Sequence, residues 1–407
     1  MALILLVSKH LQVIWTREGI DAMRHHNSVL HGILKQIPWS VFDRLVDEHG
    51  ADARVRKLST KTQLVALLYG QLSGAVSLRE IEAAMASHSA KLYHLGASQV
   101  QRSTLADANA ERPFAVFQEL FSHMAASASR GLQKATGEAV RLIDSTGIRL
   151  AGAATSWARF SKGVHGAKAH IIYDPDADRP LYLHVSKANV NDITAAKAMP
   201  IEPGATYVFD LGYYDFGWWA KLSELGSRIV TRLKKNAPLT VVAEQALPPG
   251  SALLYDRIGH LSARLAYSRN NPFADPVREI GVMTEDGKTL LRLVTNDLDA
   301  PAQEIADLYK RRWAIELFFR WVKQTLKIKH FVGRSENAVR IQIAVALIAY
   351  LLLRMAQDAL KITNSPLAFA RLVRANIMHR RNLDQMLSPP PTPCKDPKQL
   401  SLNWAST

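Results

Sequence analysis

Apolar positions recur every three to four residues through the first third of the chain: Val29-Leu30, Ile33-Leu34, Ile37 and Phe42, then Leu64, Leu67-Leu68 and Leu72. That period lays one apolar stripe along each of several successive helices. Ser77 with Glu80 three residues on marks a helix start, because hydroxyl and carboxylate each accept a backbone N–H that a first turn leaves unpaired. Residues 25–130 therefore read as an all-α domain behind an upstream extension of residues 1–24. From about 125 to 138 the sequence turns small and polar, and beyond it short β-type runs replace the helical period. Runs at 139–144, 169–173 and 181–185 read as strands, the last two joined by the turn-rich Asp174-Pro175-Asp176-Ala177-Asp178. A helix starts near Asn191-Asp192, a strand covers 206–210, a helix 216–225 and a strand 229–233, so the order is βββαβαβ.

Pro, Gly, Asn and Asp punctuate residues 236–290, a mostly β insertion, after which 291–295 reads as one more strand. The fold class is α/β: a core of residues 139–235 and 291–335, the insertion between them, a helical region over 336–388 and a flexible tail over 389–407. The apolar run 341–353 is too short for the roughly 20 residues that cross a bilayer, so it reads as a buried core helix. Residues 1–7 are apolar but lack a basic leader and are soon followed by Lys9 and His10, so no export signal is read.

Composition narrows the function classes. A 48% hydrophobic and 21% charged chain is an ordinary folded protein. Its 51 Lys and Arg against 36 Asp and Glu give a formal charge of +15, which favours a polyanion such as nucleic acid. Arg54, Arg56, Lys57, Lys61 and Arg79 in the helical domain are candidate DNA contacts or simply a solvated basic surface. The single cysteine, Cys394, excludes an internal disulfide or a cysteine metal site and fits a reducing cytoplasm.

The most informative stretch is 309–323, which lacks Gly and Pro and reads as one helix. At about 100° per residue, Tyr309, Arg312, Glu316 and Lys323 fall within a sector of roughly 60°, with Arg320 and Lys327 near the same stripe. Ile315, Phe318, Phe319 and Val322 lie opposite, toward the core. An Arg312–Glu316 pair at i,i+4 is by itself a common surface arrangement. What changes the picture is the company: Asp144 and Asp210 each stand at the end of an expected strand, where α/β sites are usually built.

Tyr309, Arg312, Glu316 and Lys323 fit the spacing Tyr-x2-Arg-x3-Glu-x6-Lys, Ile143 to Thr146 read Ile-Asp-Ser-Thr, and Asp210 to Asp215 read Asp-Leu-Gly-Tyr-Tyr-Asp. In these motifs the chain resembles a bacterial DDE transposase of the IS-four group, over about residues 27 to 331. The resemblance implies an RNase H-like catalytic core with a β insertion before the last acid, and Asp144, Asp210 and Glu316 as catalytic, metal-holding acids. Hard carboxylate oxygens suit two Mg²⁺ or Mn²⁺ ions. Tyr309, Arg312, Lys323, Arg320 and Lys327 would contact DNA. The implied activity is cut-and-paste transposition at the element's own terminal inverted repeats, with target DNA as second substrate, a homodimer pairing two ends, no membrane partner, and a nucleoid-associated, cytoplasmic location. The alternatives are a non-catalytic DNA-binding regulator and a nuclease of the same fold without strand transfer.

Lesser candidates carry a structural reading beside the functional one. Asp215 reads as a helix cap, Trp218-Trp219 as core, and Lys168 and His170 as either channel-lining or structural. Tyr267 or Phe273 would be the aromatic for a flipped base or ordinary packing. His25-His26 lacks partners at metal spacing, and Ser145 and Thr146 have no positioned base for nucleophilic work.

Overall fold

The computed structural model describes residues 28–136, 139–150, 159–161, 164–247, 252–264, 269–284, 287, 289–325, 333, 335–380 and 383. Tyr267, Lys327, His25-His26, Cys394 and the upstream and tail segments lie outside them. Ten strands form one sheet: β1 (Val140–Leu150), β2 (Arg159–Ser161), β3 (Val164–Asp174), β4 (Arg179–Lys187), β5 (Thr206–Phe209), β6 (Arg228–Arg232), β7 (Leu239–Glu244), β8 (Leu253–Leu261), β9 (Val277–Met283) and β10 (Leu290–Thr295). Their spatial order is β2-β3-β1-β5-β6-β10-β9-β8-β7, with β4 also on β3. β1, β5 and β6 run parallel and every other pairing is antiparallel. The β4-β3-β1-β5-β6 half is thus an antiparallel meander followed by two parallel crossovers through the helices Asp192–Ala196 and Phe216–Glu224, the RNase H-like arrangement that the resemblance implies.

The β insertion does not stand apart from this core. β10 pairs with β6 on one side and β9 on the other, so β7, β8 and β9 extend the same sheet. Two buried ion pairs hold this extension. Arg278 grips Asp256 through two nitrogens at 2.8 and 2.6 Å, and Arg292 grips Glu279 at 2.6 and 3.1 Å while Tyr255 donates to the same carboxylate at 2.8 Å.

Alternation along β1 serves two apolar layers, since successive strand residues face opposite sides. Val140, Leu142, Ile148 and Leu150 join the helical layer, whereas Ile143 joins Phe209, Tyr213, Trp218 and Trp219 on the other face. Helices near both ends of the chain share the first layer. Val29–Leu34, Trp39–Glu48, Thr60–Ser73, Leu78–Ser87, Arg102–Glu111 and Phe114–Thr136 precede the sheet in sequence, and Glu336–Ala359 and Pro366–Asn376 follow it. Ser77 and Glu80 cap as their spacing predicts: Ser77 Oγ accepts from Glu80 N at 3.2 Å, and the Glu80 carboxylate accepts from Val76 N at 2.9 Å. Glu336–Ala359 is the one described helix long and apolar enough to cross a bilayer, but 83% of its most apolar window is buried inside the fold. It serves as the axle of the helical layer.

Three sequence expectations need correction. β1 does not end at Asp144 but runs on to Leu150, because beyond Ile143 it keeps its antiparallel partner β3 after the parallel pairing with β5 stops. The stretch 309–323 is not one helix: Ala302–Arg311 and Trp313–Thr325 meet at Arg312, where the backbone stays helical but Arg312 N bonds Tyr309 O and Ile315 N bonds Arg312 O in tighter i,i+3 turns. Phe273 is buried in the second apolar layer, which leaves no free face for a base.

Candidate active site

Register brings the first two acids together. Ile143 pairs with Phe209 in the parallel β1–β5 ladder, so Asp144 and Asp210 follow on adjacent strands at the carboxyl ends of that pairing. Asp210 is the first residue past β5, and its Oδ1 accepts from Gly212 N at 2.8 Å in a one-turn 3₁₀ helix. Asp144 has the parity of Leu142 and so faces the helical layer, where Trp313–Thr325 supplies Glu316.

Arg312, at the break between the two helices, links the acids. Its Nη2 lies 2.5 Å from Glu316 Oε1 and its Nη1 3.6 Å from Asp144 Oδ2. One guanidinium thus serves two carboxylates, with Asp210 beside them. The Asp144 pKa is pushed up to about 7. Burial is the largest cause; Ser145 N–H and Arg312 oppose it, and Asp210 and Glu316 add to it. Among the described residues no three His, Cys, Asp or Glu side chains stand close enough to form a ready-made metal cage. The donors are chemically right for a hard cation, three carboxylates that repel one another, and the guanidinium stands between two of them.

The other expected residues fall into two groups. Arg320 and Lys323 line a pocket of about 400 Å³ together with Asp144, Ser145, Thr146 and Glu316. Tyr309 is buried instead of facing outward, its ring 5.8 Å from the Arg312 guanidinium and 6.0 Å from that of Arg232. It borders a second pocket of about 790 Å³ with Arg232, Lys310, Arg312 and the exposed Trp313. Asp215 caps Phe216–Glu224 by accepting from Trp218 N at 2.8 Å, and Trp218 and Trp219 are core, as expected.

Sequence reasoning missed Asp192 and Arg232. Asp192 read only as a helix start, yet its carboxylate takes Ser145 Oγ at 2.6 Å and Lys168 Nζ at 3.1 Å, with His170 Nδ1 at 3.6 Å. Arg232 ends a strand with no motif around it; only the fold brings it to Tyr309. In the helical layer, Arg54, Arg56, Lys57 and Arg112 line a cleft of about 690 Å³ along with Asp107 and Glu111, and Lys61 lies 4.4 Å over the Trp39 ring.

A family described as transposase DDE domain matches residues 135–352, and a domain of unknown function matches residues 25–98. A putative transposase of Sinorhizobium fredii, y4zB, is 43% identical over 287 residues, 70% of this chain and 80% of that protein. A probable transposase for insertion sequence element IS5377 of Geobacillus stearothermophilus is 27% identical over 69% of this chain and 74% of its own length. Among solved structures, a piggyBac transposase synaptic complex with hairpin DNA overlays with a TM-score of 0.40 at 11% identity, over 91% of this chain and 84% of that one.

Proposed function

The chain belongs to the DDE transposase family, and from that premise we propose that it cuts and rejoins DNA at the terminal inverted repeats of its own element, with Asp144, Asp210 and Glu316 as its catalytic acids. Divalent-metal dependence comes with the family. The ions we assign are two Mg²⁺ or Mn²⁺, held by the same three carboxylates, since these hard cations prefer oxygen donors. The observation that carries the reading is the charge balance around Asp144. Burial disfavours its ionised form most and its neighbours Asp210 and Glu316 add to that, while Ser145 N–H and the Arg312 guanidinium shared with Glu316 oppose it. Carboxylates crowded together beside an open pocket are the donors a hard divalent cation takes.

Two ions bound there would activate the attacking oxygen and stabilise the leaving oxygen of an in-line displacement. Asp144, which follows the last β1 residue paired with β5 and faces the helix of Glu316, would hold the ions together with Asp210 and Glu316. Arg320 and Lys323, on the same pocket, take the phosphates flanking the cut: Arg through a planar fork of donors, Lys as a point charge. Buried Tyr309 serves as the platform for the Arg312 and Arg232 guanidiniums. Water attacks a phosphodiester at the element end and frees a 3′-hydroxyl, which then attacks a second phosphodiester; each step breaks one P–O bond as another forms. The helical domain of residues 25–130 contributes DNA contacts through Arg54, Arg56 and Lys57, and two copies pair two ends on nucleoid DNA.

The test is a cleavage and joining assay with Mg²⁺ or Mn²⁺ on duplexes that carry the element's ends. Wild-type protein should nick the ends and join precut 3′-ends to a second duplex, while Asp144→Ala should bind ends and cut none. Undiminished cutting by Asp144→Ala would overturn the assignment. Nicking without joining would reduce the protein to a nuclease, and binding without either to a regulator.

A further inference from the structure

We propose that Asp192 is a positioning residue for this reaction: from the face of the sheet opposite Glu316, it fixes the strand that carries Asp144 and lies against the turn that carries Asp210. The inference rests on the catalytic assignment above. Side-chain alternation sends Asp144 toward Glu316 and Ser145 to the other face, with Ile143 and the second apolar layer. Asp192, opening the helix Asp192–Ala196 that packs into that layer, meets it there.

One carboxylate oxygen of Asp192 gathers three groups. It accepts from Ser145 Oγ at 2.6 Å and Lys168 Nζ at 3.1 Å, and lies 3.6 Å from His170 Nδ1. Ser145 pairs with His170 and Gly147 with Lys168 in the β1–β3 ladder, so all three groups come from one patch of the two strands, directly behind Asp144. Lys168 also donates to Val190 O at 3.0 Å, which ties down the loop that delivers Asp192. The second oxygen abuts the other acid's turn. A Cβ on Gly212 would meet Asp192 Oδ2 at 3.3 Å and Asp210 Oδ1 at 3.0 Å, so it is the missing side chain that lets the two carboxylates approach.

Lys168 and Asp192 keep 18% and 25% of their side chains exposed, so their ion pair is partly solvated and contributes less to stability than a fully buried one. Here the partners flank two catalytic acids, and partners of that sort commonly set ligand affinity by about 10–100-fold. Ser145 accordingly acts as the tether between Asp192 and the Asp144 backbone.

Mn²⁺ binding to the full-length protein without DNA, followed by electron paramagnetic resonance, tests this alongside end cleavage, end binding and thermal unfolding. Asp192→Ala should weaken Mn²⁺ binding and slow cleavage by about 10–100-fold while end affinity holds and thermal unfolding still shows a folded protein. Asp192→Asn, which keeps a carbonyl acceptor for Ser145 Oγ, should recover most of both, and Ser145→Ala should reproduce part of the loss. Unchanged Mn²⁺ binding in Asp192→Ala would overturn the positioning role alone. So would an Asp192→Asn protein as impaired as Asp192→Ala, since the charge itself would then be required. Wild-type protein that binds no Mn²⁺, or Asp144→Ala that binds it normally, would bring down the catalytic assignment beneath.

Discussion

Carboxylates are drawn into the same sheet at two places, and they are treated in opposite ways. In the extension, Asp256 and Glu279 each have their own arginine, Arg278 and Arg292, held through two nitrogens, and Tyr255 completes the second pair. Side chains there are nearly all buried, and their hydrogen bonds raise the arginine pKa values. Around Asp144 one arginine is divided between two acids, a third acid stands alongside, and the Asp144 pKa rises to about 7. Both networks use the same residue types, but the acids of the extension are almost fully buried, whereas Asp144 and Glu316 keep 18% and 32% of their side chains exposed beside a pocket. Matched charge fastens strands together, whereas crowded carboxylates at an open pocket leave oxygen atoms within reach of a ligand.

Substitution at each network should therefore damage different properties. Asp144→Asn should reduce end cleavage and joining on the order of 10³-fold or more. It should leave Tm equal to or above wild type without metal, because it relieves a crowded charge instead of breaking a pair. A clear fall in Tm would erase the distinction. Asp256→Asn should do the reverse, costing about 3–5 kcal/mol of stability by leaving Arg278 buried without its counter-charge, with activity per folded molecule within a few-fold of wild type. Denaturant unfolding checks the first quantity and active-site-normalised cleavage the second; a stability change under about 1 kcal/mol would show that the extension does not depend on that pair.

The smallest effect should come from His170, which is buried and joined to Ser186 at 2.8 Å. Burial pushes its pKa down to about 4, Asp192 opposes this, and His184 and Lys168 reinforce it. A depressed histidine pKa means that the unfolded chain binds the proton more readily. Its contribution to stability is then complete above about pH 6.5 and is lost as pH falls through about 4. Thermal unfolding followed from pH 7.5 to 4.5 should show this acid-side loss, and His170→Gln should flatten it by about 1–3 kcal/mol. An identical slope in both proteins would assign the acid sensitivity to another group.

How much of this was legible depended on range. The caps at Ser77 and Asp215, the core position of Trp218 and Trp219 and the buried axle over 341–353 follow from local spacing and apolarity, and the structure has them. Asp144, Asp210 and Glu316 stood out because each sits in a short motif. Asp192 and Arg232 did not: Asn191-Asp192 resembles any helix start, and Arg232 any strand end. Their importance lies in neighbours far off in sequence, Ser145 and Lys168 for one, Tyr309 for the other. The break at Arg312 was equally hidden, since no Gly or Pro marks it.

By itself the sequence determined most of the element types and the presence of three acids in recognisable motifs, because helix and strand periods and turn chemistry act within a few residues. Only the tertiary structure decided that β7, β8 and β9 join the core sheet, that Tyr309 is buried, and that one guanidinium is shared by two acids. Those outcomes depend on which strand pairs with which and on how much charge ends up in one poorly solvated volume, and a linear pattern carries neither quantity.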